Sequence, residues 1–296
     1  MKIRDDEEYD FISQLTGNNI NIIGENILVE NEWFKRKIDQ IINPENCELC
    51  LLREYVWIDR LLKKEDLFIP YYQWIRNNES WIIDKFEALI RFIDWKRILL
   101  PNNFIDIAKK NNLLLNLSIN MINNVLKEMT MHNNDISLNL EWEIWNNEII
   151  NLIFFTLDKY NINPNRLTIE ILETIDFDSS TDQYKSMITN IKRLKESGIK
   201  ISLDDYWAWY SNILRVIDIM PDIVKIDGDL IKNLAMNNDV WNLVEIATLV
   251  CMMHKSGKKV IAEHIETQNI QNKLIELNVD YSQWFLYSKP NRDIIK

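Results

Sequence analysis

Beginning at Leu67, short apolar runs alternate with longer stretches whose apolar residues recur every three or four positions. A short apolar run bounded by turn signals reads as a strand, and a longer periodic stretch as an amphipathic helix. The pattern predicts strands at Leu67–Gln73, Lys85–Ile93, Ile136–Leu140, Leu167–Leu172, Lys200–Asp204, Ile223–Asp227, Lys259–Ile265 and Ser282–Tyr287. Between most of them it predicts helices, at Pro101–Lys110, Leu115–Met131, Glu148–Tyr160, Asp182–Glu196, Val240–His254 and Thr267–Leu277. Strand–helix alternation indicates a parallel sheet. Eight such strands fit a closed barrel better than an open sheet. The expected fold is an α/β (β/α)8 TIM-type barrel over residues 66–296, preceded by a short helical N-terminal appendage over residues 1–65.

That first segment has a different texture. It opens on MKIRDDEEYD, then reads as helix over about 31–42 and again over 48–64 (ELCLLREYVWIDRLLKK). A regulatory or dimerising appendage is the sharper interpretation, and a helical lead-in to the barrel is the plainer and preferred one. The acidic start carries no secretory signal, and no apolar run reaches the roughly 18 residues a membrane span needs.

Composition narrows the partners. The 296 residues are 47% hydrophobic and 27% charged, enough apolar material for a real core. A net charge of −11 repels long nucleic acid and anionic lipid, but leaves room for a small anionic ligand if a metal ion supplies positive charge. The three cysteines suit a reducing cytosol, so a cytoplasmic location is expected. Cys47 and Cys50 form a lone CxxC, read as two helix-face thiols in preference to a zinc site. His132, His254 and His264 lie far apart and lack metal-binding spacing.

Several apolar strands carry acids at or near their C-terminal ends: Glu87 with Arg91, Glu170 with Glu173, Asp204 with Asp205, Lys225 with Asp227, and Glu263 with Glu266, while ISLNL contributes Asn139. A barrel brings those ends to one mouth, where active sites sit. Carboxylates embedded in apolar strands are costly unless a cation meets them. Oxygen ligands without His or thiolate favour Mg²⁺ or Mn²⁺. Adjacent Asp204 and Asp205 cannot both stay ionised without positive charge nearby. A pair of divalent ions would supply it and would clamp an in-line phosphoryl displacement. Glycoside hydrolysis is the competing chemistry for acids at a barrel mouth, but needs only two carboxylates. On spacing alone, metal-assisted hydrolysis stands about level with all other barrel chemistries together.

These segments also resemble the EAL-domain family of cyclic-di-GMP phosphodiesterases, from about Asp66 to Arg292. Glu87-Ala88-Leu89 is the signature triplet, within KFEALIR, and LTIEILET, LDDYWAWYSN, DIVKID, VIAEHIET and YSQWFLYSKP follow in family order. The resemblance implies hydrolysis of cyclic di-GMP to linear pGpG. It implies that Glu87, Asn139, Glu170 and Asp204 ligate divalent metal, with Asp205 ligating or bridging a second ion. Lys225 would orient or help deprotonate the attacking water, and Glu263 would complete the metal site or act as base. Gln283 would position water or ligand, Arg91 would contact a substrate phosphate, Leu89 would line the substrate site, and Glu173 would hold the loop after Asp205. A homodimer through the barrel is the expected assembly. The alternative is a degenerate domain that senses cyclic di-GMP, or binds protein, without turnover.

The departures from the family pattern fall on glycine. Trp81, Trp95, Trp207, Trp209 and Trp284 stand where the family has Gly, and His264 replaces Gly in AEGVE. The chain has only 5 Gly but 11 Trp, whereas typical usage would give roughly 20 Gly. Trp where φ is positive is a steric misfit. Three explanations stand: loops re-formed around the indoles, a domain that binds without turnover, or UGA codons that the native organism reads as Gly. The low Gly count, the high Trp count and their coincidence with family Gly positions favour the third.

Overall fold

In the computed structural model, the described residues are 20–23, 26–29, 67–94, 97–110, 112–140, 142–172, 181–206, 213–237, 240–284 and 289–294. The chain separates into two compact units, Met1–Lys63 and Lys64–Lys296. In the first, β1 (Ile20–Ile23) and β2 (Asn26–Val29) form an antiparallel hairpin, which the expectation of a helical appendage did not contain. The helices expected over 31–42 and 48–64, with Cys47 and Cys50, lie outside the described residues.

The second unit is a closed barrel. Its strands are β3 (Phe68–Asn77), β4 (Ile83–Asp94), β6 (Asp135–Asn139), β7 (Leu167–Leu172), β8 (Lys200–Tyr206), β9 (Ile223–Ile226), β10 (Lys259–Ile265) and β11 (Tyr281–Trp284), with β5 (Arg97–Leu99) appended outside β4. From β4 through β11 all barrel neighbours run parallel, but β3 is antiparallel to both β4 and β11. The all-parallel expectation is corrected there. Residues 78–82 are the whole connection between β3 and β4, too short for the crossover a parallel pair requires. Both strands also run further than their apolar runs suggested.

Helices α1 (Ile105–Lys110), α2 (Leu114–Glu128), α3 (Asn147–Lys159), α4 (Asp182–Glu196), α5 (Ile213–Ile219), α6 (Gly228–Asn237), α7 (Val240–Lys255) and α8 (Gln268–Glu276) follow the strands. Their periodicity is physical. In α2, Leu117, Met121, Ile122, Val125 and Leu126 are buried on one face, and α4 buries Met187, Ile191 and Leu194. Thr181 caps α4 by accepting from the Tyr184 N–H, and Thr267 caps α8 by accepting from Ile270, which is why both helices begin where the sequence placed them.

Strand alternation then layers the interior. Ile75, Ile223 and Ile261 form an apolar plug. Two residues along the same strands, on the same face, come Gln73, Lys225 and Glu263. The polar positions therefore sit one step above a dry floor, toward the C-terminal ends of the parallel strands.

Candidate active site

Lys225 on β9 is 1% exposed, and carboxylates converge on its ammonium from four other strands. Its Nζ lies 2.5 Å from Glu263 Oε1, 2.8 Å from Glu170 Oε2, 3.1 Å from Asp204 Oδ1 and 3.4 Å from Glu87 Oε2. Asn139 donates its amide N–H to Glu87 Oε1 at 2.8 Å, and Gln283 donates to Glu87 Oε2 at 2.6 Å and to Gln73 Oε1 at 3.1 Å. Glu87, Asn139, Glu170, Asp204, Lys225, Glu263 and Gln283, scattered over two hundred residues, thus meet at one mouth. Gln73 was missed by sequence reasoning; its one signal was a polar residue facing inward at the end of an apolar run.

Asp205 reaches the same place by a distortion. Consecutive residues of a regular strand face opposite sides. At Asp205 φ is +55°, and the β8–β9 register shifts between Leu203 and Tyr206. Its N–H donates to Asp204 Oδ1 at 3.1 Å, and one ligand oxygen from each of Asp204, Asp205 and Glu263 lies within 4.8 Å of the others. Glu87, Glu170 and Asp204 form a second such group. Asp204 belongs to both, so two adjacent oxygen cages share one carboxylate. On β10, His264 also has positive φ, at +50°, beside a register shift against β11. Its ring lies over Gly228, where a Cβ would come within 2.3 Å of Nδ1, so α6 can start this close only with glycine. Strained bulges at the ends of two strands re-aim side chains at the mouth.

The electrostatics express a shortage of positive charge. Burial raises the Glu170 carboxyl and neighbouring Glu87 and Asp204 raise it further, so that against the pull of Lys225 it reaches about 8. Asp205 rises to about 6 through burial and the nearby Asp204 and Asp227. Burial, with Asp204 and Glu87 adding to it, lifts Glu263 well above the usual range despite Lys225. For Glu87 burial also pushes upward, but Lys225 and the amides of Gln283 and Asn139 outweigh it and hold the carboxyl below its ordinary value. Burial depresses Lys225, but the surrounding carboxylates overcome it and raise the ammonium well above the usual lysine range.

The donor set fits hard divalent cations. All candidate ligands are oxygens, and Glu170 Oε1 is buried with no hydrogen-bond partner among the described residues. An oxygen so placed costs free energy unless something positive meets it. The mouth can therefore hold divalent metal between Glu87, Glu170, Asp204, Asp205 and Glu263, with Asn139 alongside. Arg91 stays buried beside Tyr71, its guanidinium 5.9 Å from the ring, and its Nη1 donates to the carbonyl of Ile90. Leu89 lines an adjoining cavity of about 350 Å³ together with Asn139.

Glu173, Trp95, Trp207 and Trp209 lie outside the described residues. Trp81 does not: its φ is +62°, in the turn between β3 and β4, where the Arg76 guanidinium lies 4.2 Å from the ring centroid. With His264, two of the positions where the sequence departs from family glycine thus have the left-handed backbone that glycine adopts freely.

Residues 57–290 match the EAL domain family. Among curated proteins, the chain is 29% identical over 234 residues to cyclic di-GMP phosphodiesterase PdeA of Borreliella burgdorferi, covering 77% of this chain and 34% of that protein. It is 28% identical over 235 residues to probable cyclic di-GMP phosphodiesterase PdeA of Escherichia coli, covering 77% of this chain and 31% of the other. The chain thus spans about a third of the length of these relatives. An EAL domain protein of Listeria monocytogenes superposes with a TM-score of 0.71 at 24% identity, covering 79% of this chain and 92% of that one. The PaMucR phosphodiesterase in complex with c-di-GMP superposes with a TM-score of 0.70 at 22% identity, covering 80% and 97%. At these identities the structural likeness speaks to the fold.

Proposed function

The chain belongs to the EAL domain family, and from that premise we propose that its barrel, residues 66–296, is a phosphodiesterase that hydrolyses cyclic di-GMP to linear pGpG, residues 1–65 forming an appendage. The observation that carries this reading is the contact of Lys225 with Glu263 at 2.5 Å, next to two oxygen cages that share Asp204. A domain that only bound the dinucleotide would not need a buried acid–amine pair beside such cages.

Two ions, Mg²⁺ or Mn²⁺, would be held by Glu87, Asn139, Glu170, Asp204, Asp205 and Glu263, and when bound would supply the positive charge that stabilises a phosphodiester's developing negative charge. The chain's own groups do the rest. Lys225 donates a hydrogen bond that orients the attacking water. Glu263, the acid nearest to it, takes a proton from that water. Arg91 offers a guanidinium suited to a non-bridging phosphate oxygen. Gln283 and Gln73 keep Glu87 fixed in its rotamer. The water oxygen bonds to phosphorus as the P–O3′ bond breaks in line, and the departing 3′ oxygen takes a proton from solvent to become the free 3′ hydroxyl of pGpG. A cytoplasmic location and a homodimer through the barrel complete the proposal.

Purified protein incubated with cyclic di-GMP and Mg²⁺ or Mn²⁺ should yield pGpG by chromatography. Glu263→Ala and Lys225→Ala should lower turnover far more than ligand affinity. Hydrolysis within a few-fold of the parent in either variant would show these roles to be misplaced, and no pGpG from the parent with either ion would sink the activity itself.

A further inference from the structure

The cavity of about 350 Å³ that begins at Asn139 runs between α2 and the turn after β6, where a short 3₁₀ segment spans Trp142–Trp145. Its walls are mostly apolar, including Leu89, Ile105, Leu117 and Leu138, but three charged residues also line it, Asp106, Lys109 and Glu143. An adjoining cavity of about 650 Å³ shares Lys109 and Glu143 but not Asp106. Glu143 is held rather than loose. Ser118 of α2 donates its hydroxyl to Glu143 Oε1 at 2.6 Å, closer than its 3.1 Å approach to the Leu114 carbonyl, so its one proton goes to the carboxylate. Glu143 Oε2 has no hydrogen-bond partner among the described residues, and Oε1 retains a second lone pair. None of the motifs that carry the family resemblance includes Glu143, Ser118 or Lys109.

Resting on the reading of cyclic di-GMP as substrate, we propose that Glu143 is the residue that selects guanine, accepting the N1–H and 2-amino N–H of one base in this cavity while the phosphates lie at the Asn139 end. Guanine presents those two donors side by side, the arrangement that a carboxylate accepts in parallel. Adenine presents a lone pair at N1 and no 2-amino group, so it would face the carboxylate with repulsion and leave it unpaired. The apolar walls fit the faces of a purine. Glu143 thus sets specificity, and the reacting atoms lie elsewhere.

The test compares kcat and KM for cyclic di-GMP and for cyclic di-IMP, its analogue without the 2-amino groups, in the full chain, Glu143→Gln and Glu143→Ala. In the parent, kcat/KM should favour cyclic di-GMP, and Glu143→Ala should shrink that preference on the order of tenfold, the effect of losing a hydrogen bond to a charged group. Glu143→Gln keeps the volume and can keep the Ser118 contact through its amide oxygen, but turns an N–H toward the base. It should raise KM for cyclic di-GMP roughly 10- to 100-fold with kcat within a few-fold. Thermal melts of both variants confirm that they are folded. If Glu143→Ala retains the parent's preference within twofold, or Glu143→Gln leaves KM unchanged, the proposal is overturned while the phosphodiesterase reading stands. A parent that neither binds nor hydrolyses either dinucleotide removes both.

Discussion

The two ends of the barrel use the same residue types to opposite effect. At the N-terminal ends of the strands three acids have cations of their own. Asp135 pairs with Lys85 and Lys200, Asp222 with Lys195 and Lys258, and Asp280 with Lys259, its other oxygen lying 2.8 Å from His254 Nε2. At the C-terminal ends Glu87, Glu170, Asp204 and Glu263 share the single ammonium of Lys225, with Asp205 beside them. The lower rim is balanced, partly solvated and structural. The mouth is buried and short of positive charge, a state that a divalent ion relieves. Counting acids would not separate the two; what separates them is how many cations each acid can reach.

The largest expected effect comes from removing the ammonium that these four carboxylates share. Lys225→Met should lower turnover by on the order of 10²–10⁴, the usual worth of a positioned proton-handling group. It should also destabilise the metal-free fold by about 3–5 kcal/mol, because it leaves buried carboxylates uncompensated. Melting in chelator measures this, and an unchanged midpoint would break the contrast between the ends.

A pH series sharpens it. In the metal-free protein Glu170 is raised to about 8 and Asp205 to about 6. A carboxyl raised on folding contributes stability below its unfolded value and loses it as pH climbs through the folded one. Metal-free protein should therefore lose stability from about pH 4, where the unfolded carboxyls ionise, up to about pH 8. Because metal binds the deprotonated ligands, the gain in melting temperature on adding Mg²⁺ should grow between about pH 6 and 8. A gain that is flat or falling with pH would contradict this.

At the lower rim, Asp222→Asn should cost about 1–3 kcal/mol near neutrality and leave kcat/KM within about twofold. Burial pushes Asp222 upward, but the Ile201 N–H, Lys258 and Lys195 win and hold it below its ordinary 3.8. Its contribution is present above that ordinary value and is lost as pH falls through the lowered one, so parent and variant should converge in strong acid. Smallest of all, Trp81→Gly should change stability by less than about 1 kcal/mol, since relief of the left-handed strain offsets the lost Arg76 contact.

Much of this contrast was legible before the fold was. Leu167–Leu172, Lys200, Lys259–Ile265 and Asp182–Glu196 sit where apolar runs and periodicity placed them. The acids at strand ends were visible as polar letters closing apolar words. Gln73 hid because one inward-facing amide looks like the end of a strand, and only its bond to Gln283, far along the chain, gives it meaning. The reversal of β3 depends on the length of the turn, which became short only once both strands proved longer than their apolar cores. Helices α5 and α6 escaped because α5 is a single short stretch, Ile213–Ile219, and α6 starts at a glycine that answers to His264 on another strand. Asp205 joins Asp204 through a positive φ, and neither the bulge nor its strain is written in the letters DD.

The claim that the mouth is the divalent-metal centre is tested most directly by calorimetric titration of Mn²⁺ into chelator-stripped protein, comparing the parent with Asp204→Asn and Asp222→Asn. Asp204 belongs to both oxygen cages, whereas Asp222 belongs to the balanced rim. The account predicts saturable binding in the parent, the same binding in Asp222→Asn, and loss of at least tenfold in affinity in Asp204→Asn. Undiminished Mn²⁺ binding by Asp204→Asn, or its loss in Asp222→Asn, would contradict it.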